Sequence, residues 1–183
     1  MAGWVVLGLV LVIGGWLALS YNRLVRLRNR VEESWAQIDV QLRRRHDLIP
    51  NLVETVRGYA AHEREVLTQV TEARAAAVGA GGVADQAQAE AGLTRALRSL
   101  FAVAESYPDL KANVNFLELQ EELTATEDKV SFARQFYNTA VRDYDTAREV
   151  FPTNIVAGLF NFGEREYFEV DDPDARDPVK VEF

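Results

Sequence analysis

Residues Ser20 to Arg57 read SYNRLVRLRNRVEESWAQIDVQLRRRHDLIPNLVETVR, and this stretch decides the fold. Apolar side chains recur in steps of three and four at Leu24, Leu27, Val31, Trp35, Ile38, Leu42, Ile49, Leu52 and Val56. That is the period of an α-helix with one apolar side. The seam breaks once, between Leu42 and Ile49, where Arg45 and His46 stand. At about 1.5 Å per residue the stretch makes a rod of roughly 57 Å. A rod with one apolar seam needs other helices to cover it, and the rest of the chain must supply them.

Upstream, Ala2 to Leu19 carry no charged side chain. As a helix they rise about 27 Å, close to the ~30 Å hydrocarbon core of a bilayer. Trp4 and Tyr21 stand where interfacial aromatics belong. Ala18-Leu19-Ser20 resembles a signal-peptidase site, but no Lys or Arg precedes the apolar run, so residues 2–20 are read as a retained anchor. Arg23, Arg26, Arg28 and Arg30 follow the span directly. Positive residues stay on the cytoplasmic side, which predicts a single-pass plasma-membrane protein, N-terminus out and domain inside. Gly14 and Ala18 make one small-xxx-small pair.

Downstream, Pro50 removes a backbone donor and should kink the first helix near His46 and Asp47 without ending it. Gly58 is the expected stop, with a left-handed cap. A second helix is expected from Ala60 to Ala77, with Val66, Val70 and Ala73 inward, and Gly79-Ala80-Gly81-Gly82 breaks it. No strand precedes that glycine run and no Lys-Ser/Thr pair follows it, so it is not a phosphate cradle. A third helix fits Asp85 to Ser106 with Leu93, Leu97, Leu100 and Ala104 on one face. Tyr107-Pro108-Asp109 turns the chain, Asp109 being the expected N-cap of a fourth helix reaching Val150. Its expected seam is Leu110, Val114, Leu117, Leu123, Val130, Phe136, Tyr137, Val141 and Tyr144. Two long helices bracketing two short ones predict an all-α chain. Residues 21–151 are expected to form an up-and-down four-helix bundle with coiled-coil-like seams, behind the transmembrane helix.

Phe151-Pro152 ends the fourth helix, and that order returns the chain to the membrane end. Residues 152–168 begin PTNIVAGLFNF, short, apolar and aromatic. Ile155, Val156, Leu159, Phe160 and Phe162 are candidates for contact with lipid or a neighbouring subunit; the alternative is a flap closing the bundle end. Residues 169–183 are acidic and proline-bearing and read as a disordered tail.

The net charge of −8 opposes general nucleic-acid binding. It is unevenly placed: residues 20–58 hold eight Arg against five acids, whereas residues 109–183 hold 17 acids against eight bases. Helices of opposite sign attract when they lie side by side. With no cysteine there is neither a disulfide nor a thiolate site. Di-iron bundles need Glu-x-x-His, but Arg43 and Tyr59 stand three before His46 and His62. A zincin would need a histidine where Val66 stands. Glu121-Glu122 and Glu127-Asp128 read as a solvated helix face. Arg43, Arg44 and Arg45 form the densest basic run, either a charged face opposite the fourth helix or a dock for phosphate or a partner. No nucleophile, metal or cofactor site is expected.

Three long strings carry a resemblance: YNRLVRLRNRVEESWAQIDVQLRRRHDLIPNLVETVRGYAAHE, ESYPDLKANVNFLELQEELTATEDKVSFARQFYN and FPTNIVAGLF. Together they resemble the LemA family from the anchor to about Phe168. The resemblance implies a single-anchor membrane protein with a four-helix domain, and it brings no activity, cofactor or catalytic residues. A magnetosome protein similar to the family, and genomic company with a membrane metalloprotease, imply membrane organisation or quality control. The expectation is a non-enzymatic scaffold that self-associates into a homo-oligomer and contacts membrane lipids. The alternative is a monomeric adaptor for a membrane protease or other client.

Overall fold

The computed structural model describes residues 1–169; residues 170–183, and with them nearly all of the expected disordered tail, lie outside the described residues. Among the described residues all regular structure is helical: α1 (Ala2–Tyr59), α2 (Arg64–Gly79), α3 (Val83–Ala104), α4 (Pro108–Lys111), α5 (Val114–Glu149) and α6 (Thr153–Leu159). The chain divides into two compact units. Unit one takes Met1–Ile38 with Ala133–Glu166; unit two takes Asp39–Phe132 with the described residues from Tyr167.

α1 passes through Pro50 unbroken. Proline cannot donate to the carbonyl four residues back, so the His46 oxygen loses its helical partner. Arg74 of α2 replaces it, its Nε donating to the His46 carbonyl at 2.7 Å. The expected left-handed stop at Gly58 is not used: Gly58 lies inside α1, and no described glycine has positive φ. The chain turns one step later. Ala60 still donates to the Val56 carbonyl at 2.8 Å, accepts from Glu63 N–H at 3.0 Å, and is itself buried. A methyl group small enough to enter the core, rather than a glycine dihedral, sets this corner.

A second correction concerns the start of α5. Asp109 is not its cap; it belongs to the single turn of α4, with Pro108 at the first helical position. Asn113 caps α5, its Oδ1 accepting the Phe116 N–H at 3.1 Å. Val114, Leu117 and Phe136, expected inward, are exposed, while Leu110 stays buried on α4. The seam that results is a heptad, with Phe116, Leu123, Val130, Tyr137 and Tyr144 all buried at steps of seven. Thr126, Ala140 and Ala147 fill the intervening inward positions.

Unit two is built on one hydrophobic cluster. It joins Ile49, Leu52 and Val56 of α1 to residues of every later helix up to α5, among them Val70, Leu97 and Phe116. Each such side chain contributes about 1.5–3 kcal/mol when fully buried. Unit one packs Leu24 and Val31 of α1 and Val141 and Tyr144 of α5, all nearly solvent-free. There the Trp35 and Tyr137 rings lie 5.5 Å apart. The N-terminal apolar window of α1 is long and apolar enough to cross a membrane, and none of it is buried.

Leu42, 2% exposed, tests the α1 seam directly. Leu42→Ala should lower unfolding free energy by about 2–5 kcal/mol. Arg43→Ala, one residue on, removes a side chain 74% exposed and should cost under ~1 kcal/mol. Urea titrations followed by circular dichroism compare the two; equal losses would place Leu42 outside the core.

Candidate functional site

In unit two, the gap in the α1 seam is filled by a buried polar knot. Glu90 of α3 sits 3% exposed opposite Arg45, 3%, and His46, 6%. One Arg45 terminal nitrogen donates to Glu90 Oε2 at 3.1 Å, and the other donates to Thr94 Oγ1 at 2.8 Å and approaches Glu127 of α5 at 3.6 Å. His46 Nε2 lies 2.6 Å from Glu90 Oε1, which also accepts from Gln86 Nε2 at 3.0 Å. Gln86, Glu90 and Thr94 follow at four-residue steps, so α3 presents all three on one face. Arg45 and His46 thus each meet one oxygen of the Glu90 carboxylate, while the buried Arg45 Nε has no hydrogen-bond partner. A buried guanidinium opposite a carboxylate is tolerable where a lone charge is not.

The three arginines therefore have different fates. Arg43 points to solvent and pairs with Asp39 at 2.6 Å. Arg44 faces Glu122 at 3.8 Å, both half-exposed. Arg45 is consumed by the knot and cannot meet an external phosphate. His62 is exposed on the corner after α1, so the two histidines do not converge. Glu118, Glu121 and Glu122 line an open groove of about 640 Å³ with Asn51 and Thr55 of α1. At the α1–α2 corner Tyr107 donates to Glu63 at 3.0 Å, and that hydrogen bond, with burial, raises the phenol pKa.

In unit one, the segment after α5 closes one end. Phe151–Pro152 is cis, and α6 follows. Asn161 takes φ 51° and Phe162 N–H bonds back to the Ala157 carbonyl at 2.9 Å, the left-handed helix ending that asparagine tolerates. This turn throws Phe162 inward, under the Arg28 guanidinium at 5.5 Å and edge-on to Tyr21 at 5.6 Å. The Phe160 ring meets the same Tyr21 at 4.9 Å. Of the five residues expected at an intermolecular or lipid contact, Val156 and Phe162 are buried in their own unit, as the flap reading required. Ile155, Leu159 and Phe160 are 50%, 70% and 56% exposed.

The returning chain is pinned by α5. Tyr144 donates to the Gly163 carbonyl at 2.8 Å and Tyr137 to the Glu166 carbonyl at 2.7 Å, while Arg165 pairs with Glu32 of α1 at 3.0 Å. Burial raises both tyrosine pKa values, with Arg165 opposing. Burial likewise raises Asp145, against the pull of Arg148 and the Arg165 backbone N–H. These groups anchor a strap, and Arg148 also lines, with Glu149 and Asn154, an open pocket of about 560 Å³. Glu90 escaped the sequence reading, and Tyr137 and Tyr144, expected inward as seam residues, were not expected to hold the returning chain. Glu90 was visible as a carboxylate in seam register with Leu93, Leu97 and Leu100, whereas nothing local marks the strap.

Residues 34–183 match the LemA family. The chain belongs to the LemA family. Among curated relatives it is 26% identical to magnetosome protein MamQ 2 of Paramagnetospirillum magneticum over 84% of this chain and 66% of that protein. It is 25% identical to magnetosome protein MamQ of Magnetospirillum gryphiswaldense, over 83% of this chain and 65% of the relative. Protein LemA of Metamycoplasma hominis is 26% identical, over 85% of this chain and 75% of that protein. The chain spans just under two thirds of the length of the MamQ proteins it matches.

The knot and the strap are separately testable. Glu90→Ala strands Arg45 and should cost about 3–5 kcal/mol, whereas Arg45→Met with Glu90→Met removes both charges and should cost far less. Denaturant titration of the three proteins distinguishes an ion pair from simple packing. Asp145 holds its proton more tightly folded than unfolded, so its contribution to stability rises as pH falls through the raised folded value and levels off below the ordinary carboxylate range. Asp145→Asn should therefore flatten the stability profile on the alkaline side of the ordinary carboxylate value of about 4. An unchanged profile would show that Asp145 titrates normally.

Proposed function

We propose that this LemA-family chain is a membrane-anchored helical scaffold that acts by contact rather than catalysis, self-associating to organise membrane or membrane proteins. One observation carries the reading: α5 turns Val114, Leu117 and Phe132 outward, exposed by 65%, 48% and 65%. At 100° per residue these three fall within about 60° of one another around the helix. Exposed Glu121, Ala125 and Asp128 lie on the same side over the roughly 22 Å between Leu117 and Phe132, so this face is apolar at its ends and acidic between, a mixed surface suited to contact with another protein. Most of the buried ionisable groups, by contrast, pair within the chain. Similarity to proteins named for the magnetosome supports a place at a membrane. The core cluster drawn from α1, α2, α3 and α5 supports reading residues 21–151 as an up-and-down four-helix bundle. The arginines after the apolar run support a cytoplasmic domain.

Val156 and Phe162, buried in their own unit, favour a second reading, a monomeric adaptor for a membrane client. Light scattering of the full-length protein in detergent separates the two. The scaffold predicts one defined oligomer that Leu117→Asp with Phe132→Asp converts to monomer without loss of helicity. A wild-type protein that is monomeric at every concentration sinks self-association and leaves the adaptor.

A further inference from the structure

We propose that the outward face of α6 seats in the headgroup–acyl boundary of the bilayer that holds the chain's own apolar helix, a bilayer carrying anionic headgroups. The inference rests on the anchored reading and adds a second membrane contact to it. Depth is its first support. Leu19 ends the apolar run and Tyr21 follows two residues on, about 3 Å further along the helix. Tyr21 touches both Phe160 and Phe162, with ring centroids 4.9 and 5.6 Å away. The end of α6 is thereby fixed at the level where α1 leaves hydrocarbon. Tyrosine at that level is itself an interfacial residue.

Composition and sidedness are the second support. Val150 to Gly163 contain no ionisable side chain; Glu149 and Glu164 flank them. Within this stretch Val156, Ala157 and Phe162 face the unit's interior, whereas Ile155, Leu159, Phe160 and Phe151 face out, Phe151 at 76% exposure. Ile155 and Leu159, four apart, share one helix face. Charge is the third. Arg23, Arg26 and Arg30 are exposed in the turns directly after the span, where cationic side chains meet anionic headgroups. A second copy could cover the patch only by displacing lipid already at that depth, which is why lipid is the occupant named here.

The chain has no cysteine, so single labels are clean. Full-length protein carrying Leu159→Cys, or Ile155→Cys as a second position, is labelled with an environment-sensitive fluorophore. It is then reconstituted into vesicles containing anionic phospholipid. Leu9→Cys in the apolar run and Thr68→Cys on the exposed side of α2 serve as references. Brominated lipid should quench positions 159 and 155 several-fold more than position 68, and aqueous iodide should quench them several-fold less. Iodide access equal to that of position 68, with position 9 still quenched by lipid, would overturn the inference and leave the anchor standing. Protection from both quenchers would overturn it in favour of a second copy. A position 9 that escapes brominated lipid would overturn the anchor and this inference together.

Discussion

Pro50 takes one hydrogen bond out of the longest helix in the protein, and unit two is arranged around replacing it. The freed His46 carbonyl is met by Arg74 from α2. The His46 side chain, on the same residue, holds Glu90 of α3. One residue of α1 thus binds both short helices, through its backbone to one and through its ring to the other. A buried carbonyl without a donor costs about 1–3 kcal/mol, so the proline is tolerable only while α2 is docked. Arg45 beside it meets the other oxygen of the same carboxylate at 3.1 Å. Hydrophobic contacts above and below the knot supply the energy of association. The polar groups supply the register, since a slip of either short helix would strand a charge.

Unit one solves a different problem by similar means. Its terminal segment is apolar yet too short to form a helix of its own stability, so it is held from outside. Two tyrosines one heptad apart on α5 donate to carbonyls three residues apart on the strap, which sets the strap running against the helix. Asn161 reverses the chain just before it, and Phe162 enters the interior while Leu159 and Phe160 remain outside. The same short helix therefore serves as a lid on its own unit and as an exposed apolar surface. Those two roles need different residues, and α6 supplies one set on each side.

Neither arrangement resembles a reaction centre. A catalytic carboxylate or imidazole needs access to substrate and a partner that shifts its pKa toward use. Glu90 and His46 are sealed among helices, and the strap tyrosines are pushed further from ionising at neutral pH by burial. What reaches the surface is a set of apolar side chains on α5, an acidic groove and arginines that follow a membrane-competent helix.

The helical class, the continuation of the first helix past Pro50 and the buried positions from Leu24 to Val56 were legible in the sequence, because helical periodicity is local and each apolar residue reports its own face. The seven-residue gap in that seam and Glu90 among leucines were legible too, as two polar insertions in apolar stripes. Their pairing was not, because residues 45 and 90 meet only once two helices have packed. Tertiary structure also decided the corner at Ala60, which the sequence placed at Gly58, and the start of α5. With the helix capped at Asn113 instead of Asp109, Val114 and Leu117 of its first turns lie on the surface, whereas Leu123, Val130, Tyr137, Val141 and Tyr144 are buried as expected. Composition marked residues 152–162 as apolar, but which side of α6 faces inward depends on where Tyr21 stands and on one left-handed asparagine. Periodicity can say that a face is buried; only packing says against what.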